Sequence, residues 1–324
     1  MNYSGYKEYA TELKSLNLNP ITTAQINNNY SFALINTILD IDHIKKLHNS
    51  IPIILWIHEG MTVIYNMKLT PRELINILSI PKTLIFQTPW QSEAVFKSFI
   101  HQLPKEKIAC IPIGIGKQNN TKINKEKNNK IQITTLGSVY SRKRPLDLAK
   151  ATINVAQRHN VQCNFIGDLS HTGTLGPEAE KYLNKYTTIL KWNGILPTNN
   201  KIELIASSDI ACFPSGDETF NISAMETAAL KTPLILADLE VYNHIGWVDG
   251  KNCLKYPVGN IKALETSIEK LILNPNLRTS LAEEAIKLVE NYPLEHFFQQ
   301  ITDTVISSIF PKPISGSIDF FQQK

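Results

Sequence analysis

Short apolar runs alternate with longer amphipathic stretches along most of the chain. Eight runs predict strands: Phe32–Ile35, Ile53–Trp56, Leu84–Phe86, Ile108–Ile111, Ile131–Leu136, Asn164–Ile166, Ile210–Phe213 and Pro233–Leu236. Helical spacing predicts helices over Pro145–Gln157, Ile202–Ser207, Ser223–Ala229, Ile261–Leu273 and Leu277–Glu290, with a last one over Leu294–Phe310. Strands apolar on both faces, each followed by an amphipathic helix, predict parallel sheets covered by helices. The strands are short and end in Gly, Ser, Asp or Pro, where the ligand-binding loops of open α/β sheets emerge.

A polar stretch from Ile115 to Lys130, nearly without apolar anchors, divides the pattern in two. It predicts a first domain over 1–118 and a second over 131–293, with the C-terminal helix, 294–324, packing back on the first. The start is unusual. Helix-like Tyr3–Leu16 and an Asn-rich turn (Asn17, Asn19, Asn27–Asn29) precede the first strand, and no strand with a glycine-rich turn opens the chain. The first domain is therefore expected to lack its first strand and glycine loop.

A chain of 324 residues with 43% hydrophobic and 19% charged residues suits two ordinary globular domains. The net charge of +4 is too small to imply nucleic-acid binding. Its distribution says more: residues 1–130 hold 15 Lys/Arg against 9 Asp/Glu, the remainder 18 against 20. A basic first half suits an anionic membrane surface or an acidic acceptor, although Lys117, Lys122, Lys125, Lys127 and Lys130 equally solvate one loop. The four cysteines, Cys110, Cys163, Cys212 and Cys253, lie far apart without a C-x-x-C pair, as free thiols in a reducing compartment do. No apolar run reaches 18 residues, and Met1–Ala10 lacks the apolar core of a signal peptide. The expected location is cytoplasmic, with at most peripheral membrane contact.

Chemistry concentrates in three places. In Phe213-Pro-Ser-Gly-Asp-Glu-Thr-Phe-Asn-Ile-Ser-Ala-Met-Glu226 an apolar strand stops at a turn and a helix starts near Ile222. Free amides and the macrodipole make such a start an anion site, with Glu218 in the loop and Glu226 about a turn into the helix. In Leu136-Gly-Ser-Val-Tyr-Ser-Arg-Lys-Arg-Pro145 a strand ends at Gly137, and three cations precede a helix opened by Pro145. Clustered cations at a helix start suit an anionic group such as a phosphate. In Ile53-Ile-Leu-Trp-Ile-His-Glu-Gly60 a buried strand ends in His58 and Glu59. Asp40-Ile41-Asp42 is a D-x-D, but it directly precedes a helix-like segment, so Asp42 reads as its N-cap.

From about Ser31 to Glu290 the chain resembles glycosyltransferase family four, the "glycosyl transferases group 1" type. Pro214, Ser215, Glu218, Phe220 and Glu226 match the family's E-x7-E donor frame in register. Ala228, Ala229 and Pro233 match the family's small residues and strand-opening proline beyond that frame. Asp249-Gly-Lys-Asn-Cys-Leu254 resembles a D-G-x-N-G-x-L turn with Cys253 for the second Gly. Lys191-Trp-Asn-Gly194 resembles the strand end beside the nucleotide base. Ile85–Glu93 and Ile111-Pro-Ile-Gly114 resemble two further family segments, with Ile113 and Gly116 replacing the usual Asn and Asp.

The resemblance implies a GT-B fold, two Rossmann-like domains with a cleft between them, and a retaining transferase that requires no metal or cofactor. Its donor would be a UDP- or GDP-sugar, and its acceptor a saccharide, a lipid-linked saccharide or a protein. Catalytic roles would fall to His58, Glu218 and Lys143, with Glu59 at the cleft edge beside His58. Gly137, Ser138, Arg142, Lys143, Gly167, Asn193, Gly194, Glu218, Thr219, Phe220, Asn221, Ile222 and Glu226 would bind the donor, with Glu218 on sugar hydroxyls and Glu226 on the ribose. Ser138 occupies the family's usual Arg position, and the residues alone leave open whether Arg142 or Arg144 replaces it. The unusual start also allows a catalytically silent GT-B subunit or a transferase completed by a partner chain. A nucleotide-sugar epimerase is a further alternative.

Overall fold

The computed structural model describes residues 31–117, 129–138, 141–168 and 176–310. The Asn-rich start, the centre of the polar connection and the tail after Phe310 lie outside the described residues.

Two parallel sheets form the frame. The first has strands β1 (Ala33–Ile35), β2 (Ile53–Ile57), β3 (Thr83–Phe86) and β4 (Ile108–Cys110), in that order across the sheet. The second has β5 (Ile131–Leu136), β6 (Val161–Ile166), β7 (Leu190–Trp192), β8 (Ile210–Phe213), β9 (Leu234–Ala237) and β10 (Leu254–Tyr256), in the order β10-β9-β8-β5-β6-β7. Every residue of β2, β3, β8 and β9 is buried, as helices on both faces of a parallel sheet require.

In the first half the helices are α1 (Ile41–Leu47), α2 (Met61–Asn66), α3 (Pro71–Ser79) and α4 (Lys97–Ile100). The second half adds α5 (Pro145–Val155), α6 (Gly176–Lys185), α7 (Thr198–Ser207), α8 (Ile222–Ala229), α9 (Glu240–Ile245), α10 (Ile261–Leu273), α11 (Pro275–Val289) and α12 (Leu294–Ile309).

Several element boundaries differ from the sequence expectation for identifiable reasons. The β6 strand starts three residues early, because Val161 and Cys163 are buried and polar Gln162 still pairs in the ladder. The α7 helix starts at Thr198 rather than Ile202, with a first turn of polar residues that shows no apolar period. Asp42 is not the N-cap of α1. Asp40 holds that position, and its carboxylate bonds the His43 ring rather than a backbone amide.

The strand order places the site. Successive strands leave β5 in opposite directions, to β6 and β7 on one side and to β8, β9 and β10 on the other. The loops after β5 and β8 therefore separate and open a crevice at the carboxyl rim, the usual ligand position in doubly wound sheets.

One continuous buried cluster joins the facing sides of the sheets. It runs from Ile54, Trp56 and Ile85 through Phe297 of α12 to Phe213, Phe220, Met225 and Leu236. The returning chain sits tightly against the first sheet. Ile115 N donates to Tyr292 O at 2.8 Å, the Trp56 and Phe297 rings lie 5.2 Å apart, and Thr83 Oγ1 bonds Ser308 Oγ at 2.6 Å. Gly114 permits this approach, because a Cβ there would come within 2.6 Å of Leu294 Cα.

Removing the Phe297 ring, 2% exposed, should leave a cavity at this junction. Phe297→Ala is expected to destabilise the chain by about 3–5 kcal/mol in urea unfolding. A loss below about 1 kcal/mol would show that α12 is not part of the shared core.

Candidate active site

The site is assembled from strand ends of both sheets. At the rim of the second sheet, β5 ends in Gly137, β6 in Gly167, and the β7 turn in Gly194. Gly167 N donates to Gly194 O at 2.9 Å, and Gly137 N to Ile166 O at 2.9 Å, which ties the three turns together. A Cβ on Gly167, whose φ is +144°, would stand 2.3 Å from Gly137 O, so only glycine allows the two turns to meet. Beside them, Asn193 N donates to Phe165 O at 2.9 Å, and its side-chain amide donates to Asn164 Oδ1 at 3.4 Å.

The basic turn after β5 reaches the loop after β8. Lys143 Nζ lies 2.6 Å from Glu218 Oε1, and Arg142 Nη1 lies 3.2 Å from Glu218 Oε2 and 2.8 Å from Asp217 O. Gly216 N donates to Arg142 O at 2.8 Å, so the two loops also pair through backbone. Glu218 is only 6% exposed. Burial pushes its carboxyl up, but Lys143 and Arg142, with hydrogen bonds from Lys143 and Ser215, hold it below the usual carboxylate range. It stands ionised between two cations.

Backbone geometry separates Arg142 from Arg144 and sends their side chains to different partners. Arg144 adopts left-handed φ of 48° at the N-cap of α5, which turns its side chain away. Its Nε donates to Asp147 Oδ2 at 2.7 Å, and its guanidinium packs over Gly259. Arg142 is the arginine that meets Glu218.

The E-x7-E frame continues into α8. Asn221 is the N-cap, with φ of 65°, an angle Asn tolerates better than most residues. Its Oδ1 accepts from Ala224 N at 3.2 Å and its Nδ2 donates to Tyr242 OH at 2.7 Å. The amides of Asn221, Ile222 and Ser223 precede the first helical hydrogen bond, the position where helix starts carry free donors. Phe220 is a core anchor, 1% exposed and 5.4 Å from the Tyr292 ring, and Ile222 is exposed. Glu226 is one-third exposed on the face of α8, 3.5 Å from Lys201 Nζ. It stands apart from the Glu218 cluster.

The first sheet closes the site from the other side. His58 follows β2, with its ring 4.4 Å from Trp56, and its nitrogens bond the side-chain amides of Asn36 and Gln87. Burial pushes the His58 ring down to about 4, which keeps it neutral at ordinary pH. Glu59, expected at the cleft edge beside His58, instead folds back into its own domain. Its carboxylate accepts from Thr37 Oγ1, from Ile38 N at 3.3 Å and from His58 N at 3.0 Å.

The loop over residues 217–219 touches both halves. Asp217 Oδ2 accepts from Thr62 N at 3.1 Å, and a side chain at Gly60 would meet the Asp217 carboxylate at 2.8 Å. Thr219 Oγ1 lies 2.9 Å from His58 O and 2.8 Å from Gln87 Oε1. The sequence reading missed Asn36, Gln87 and Asp217. Each directly follows a strand or flanks a motif residue, a positional signal that composition does not reveal.

The sequence profile of the glycosyl transferases group 1 family matches residues 116–288, more than half of the chain. The chain belongs to this family. It is 25% identical over 170 residues to the D-inositol 3-phosphate glycosyltransferase of Rhodococcus jostii, covering 51% of this chain and 37% of that protein. It is 26% identical over 201 residues to the alpha-galactosylglucosyldiacylglycerol synthase of Streptococcus pneumoniae, covering 61% of this chain and 49% of that protein. The matches thus span less than half the length of these curated relatives.

Among solved structures, HepE of Anabaena in complex with UDP-glucose superposes with a TM-score of 0.74 at 16% identity, covering 93% of this chain and 89% of that one. Sucrose-phosphate synthase of Thermosynechococcus elongatus superposes at 0.72 and 16% identity, covering 94% and 78%. The architecture of this family member is GT-B: two parallel α/β sheets facing a cleft.

His58 also sets a pH prediction. Its folded value of about 4 lies below its ordinary 6.5, so the unfolded chain binds the proton more readily. Stability contributed by the neutral ring is complete above about pH 6.5 and is lost as pH falls toward 4. Urea unfolding of His58→Gln should therefore show a shallower loss over that window than the natural chain. Parallel curves would mean that the ring titrates normally.

Proposed function

We propose that the chain is a retaining, metal-independent glycosyltransferase that moves a sugar from a nucleotide-diphosphate sugar to an acceptor hydroxyl. The observation that carries this reading is the buried pairing of Glu218 with Lys143 and Arg142 at the switch point between β5 and β8. A diphosphate seated at the β5 and β8 turns would draw on Lys143, Arg142 and the amides opening α8 for charge neutralisation. Glu218 would then be free to accept hydrogen bonds from donor-sugar hydroxyls. Glu226, half-buried further along α8, would accept from the ribose. Gly137, Gly167, Asn193 and Gly194 would flank the nucleotide with backbone close enough for direct contact. The family membership and the UDP-glucose complex of HepE, a protein of the same fold, support a nucleotide-sugar donor.

In the proposed reaction the sugar C1–O bond to the diphosphate breaks with both electrons passing to the phosphate oxygen. The acceptor oxygen forms a new bond to C1 on the same face. Its proton passes to the departing phosphate, so no side chain must act as base. His58, neutral and with both ring nitrogens engaged, fits a contact with the sugar rather than proton abstraction. We assign residues 1–118 and 294–324 to the acceptor side and 131–293 to the donor side. A lipid-linked saccharide is the favoured acceptor class, because the first half is basic and one matched relative is named as a glycolipid synthase.

A thermal-shift screen against UDP-, GDP-, ADP- and CMP-sugars should reveal one nucleotide class that raises the unfolding temperature by mass action. With that donor, Glu218→Ala is expected to reduce transfer at least 100-fold while the unfolded fraction at assay temperature stays negligible. Natural turnover in folded Glu218→Ala would defeat the assignment.

A further inference from the structure

Three residues stand in a row at the carboxyl rim of the first sheet. Asn36 follows β1, His58 follows β2 and Gln87 follows β3, and these strands are neighbours. The His58 ring lies between the two side-chain amides, with Nε2 facing Asn36 Oδ1 and Nδ1 facing Gln87 Nε2. An amide oxygen only accepts and an amide nitrogen only donates. Both neighbours therefore demand the same ring: a proton on Nε2 and a lone pair on Nδ1.

The orientation of Gln87 decides this tautomer, and Thr219 from the opposite half decides the orientation. Gln87 is 3% exposed, and its backbone amide is held by Gln91 Oε1 at 2.8 Å. Its side-chain oxygen faces the Thr219 hydroxyl at 2.8 Å, and Thr219 is pinned in turn by Thr88 Oγ1 on its carbonyl at 3.5 Å. The hydroxyl proton is shared between Gln87 Oε1 and His58 O. Without that donor the Gln87 amide is released to rotate by half a turn and offer its oxygen to Nδ1, and the ring proton moves there once the Asn36 amide turns in step.

We propose that Gln87 is a positioning residue through which Thr219 of the donor loop sets the protonation of the His58 ring. Contact between the halves selects a neutral Nε2–H imidazole whose Nδ1 is already occupied. Loss of contact releases the choice. The inference rests on the reading that His58 borders the donor sugar, since its consequence is that the ring is held in one tautomer and one orientation whenever the cleft is assembled.

The test is the nitrogen NMR spectrum of the full chain labelled at histidine, with the His58 pair assigned by its disappearance in His58→Gln. The natural chain should show His58 protonated on Nε2. Thr219→Val should give a mixture of tautomers, and Thr219→Ser should restore the natural pattern. Gln87→Glu, whose carboxylate can only accept, should place a proton on Nδ1. This variant decides the matter if Thr219→Val does not fold. A natural chain protonated on Nδ1, or a folded Thr219→Val or Gln87→Glu with an unchanged His58 pattern, would overturn the proposal. The spectrum requires no nucleotide sugar, so its outcome is separate from that of the donor screen.

Discussion

Glu218 is a carboxylate buried at the meeting point of two loops, and its ionised form is tenable there only with two cations against it. Removing a charge from water costs several kcal/mol, so the position of Lys143 and Arg142 is a condition of the loop's structure. That condition propagates outward. It requires the turns after β5 and β8 to be adjacent, which the strand order supplies. It requires the chain to bring two successive basic side chains inward and turn the third away, which the left-handed backbone at Arg144 accomplishes. It requires Gly137 and Gly167 to pack backbone against backbone, since a side chain at Gly167 would displace the turn.

The same loop holds the halves together at the cleft. Asp217 takes the amide of Thr62 at the start of α2, and Thr219 reaches the ends of β2 and β3. Behind these polar contacts lies the apolar cluster shared by both sheets and α12. The hydrophobic effect supplies the gross adhesion, and the hydrogen bonds fix the register. A shift that withdrew Glu218 from its cations would also pull Thr219 from Gln87. The Glu218 ion pairs and the Thr219–Gln87 contact are thus made by adjacent residues of one loop.

Much of this architecture is legible in residue patterns. Apolar runs such as Ile131–Leu136 and Ile210–Phe213 mark strands whose bounds the structure repeats, because buried parallel strands leave a dense local signal. The E-x7-E frame points to the loop that holds Glu218. Short elements are harder to see. The three residues of β10 carry no period, and α3 is not among the helices expected from the sequence, although Leu74, Ile77 and Leu78 keep helical spacing behind a Thr70–Glu73 capping box. The side to which Arg142 and Arg144 turn depends on one backbone angle, which no spacing encodes. Asn36 and Gln87 become visible only when neighbouring strands set them on either side of His58. Glu59 misleads for the opposite reason: adjacency to a cleft residue does not determine where a carboxylate folds.

If Lys143 neutralises the donor diphosphate, a calorimetric titration of the full chain with the preferred nucleoside diphosphate reads that contact as affinity. Charge-assisted contacts of this kind contribute about 1.5–3 kcal/mol, or roughly 10-fold or more in affinity. Folded Lys143→Met should bind the nucleoside diphosphate at least 10-fold more weakly than the natural chain, while its affinity for the nucleoside alone stays unchanged. Equal diphosphate affinities in the two proteins would mean that Lys143 does not meet the diphosphate.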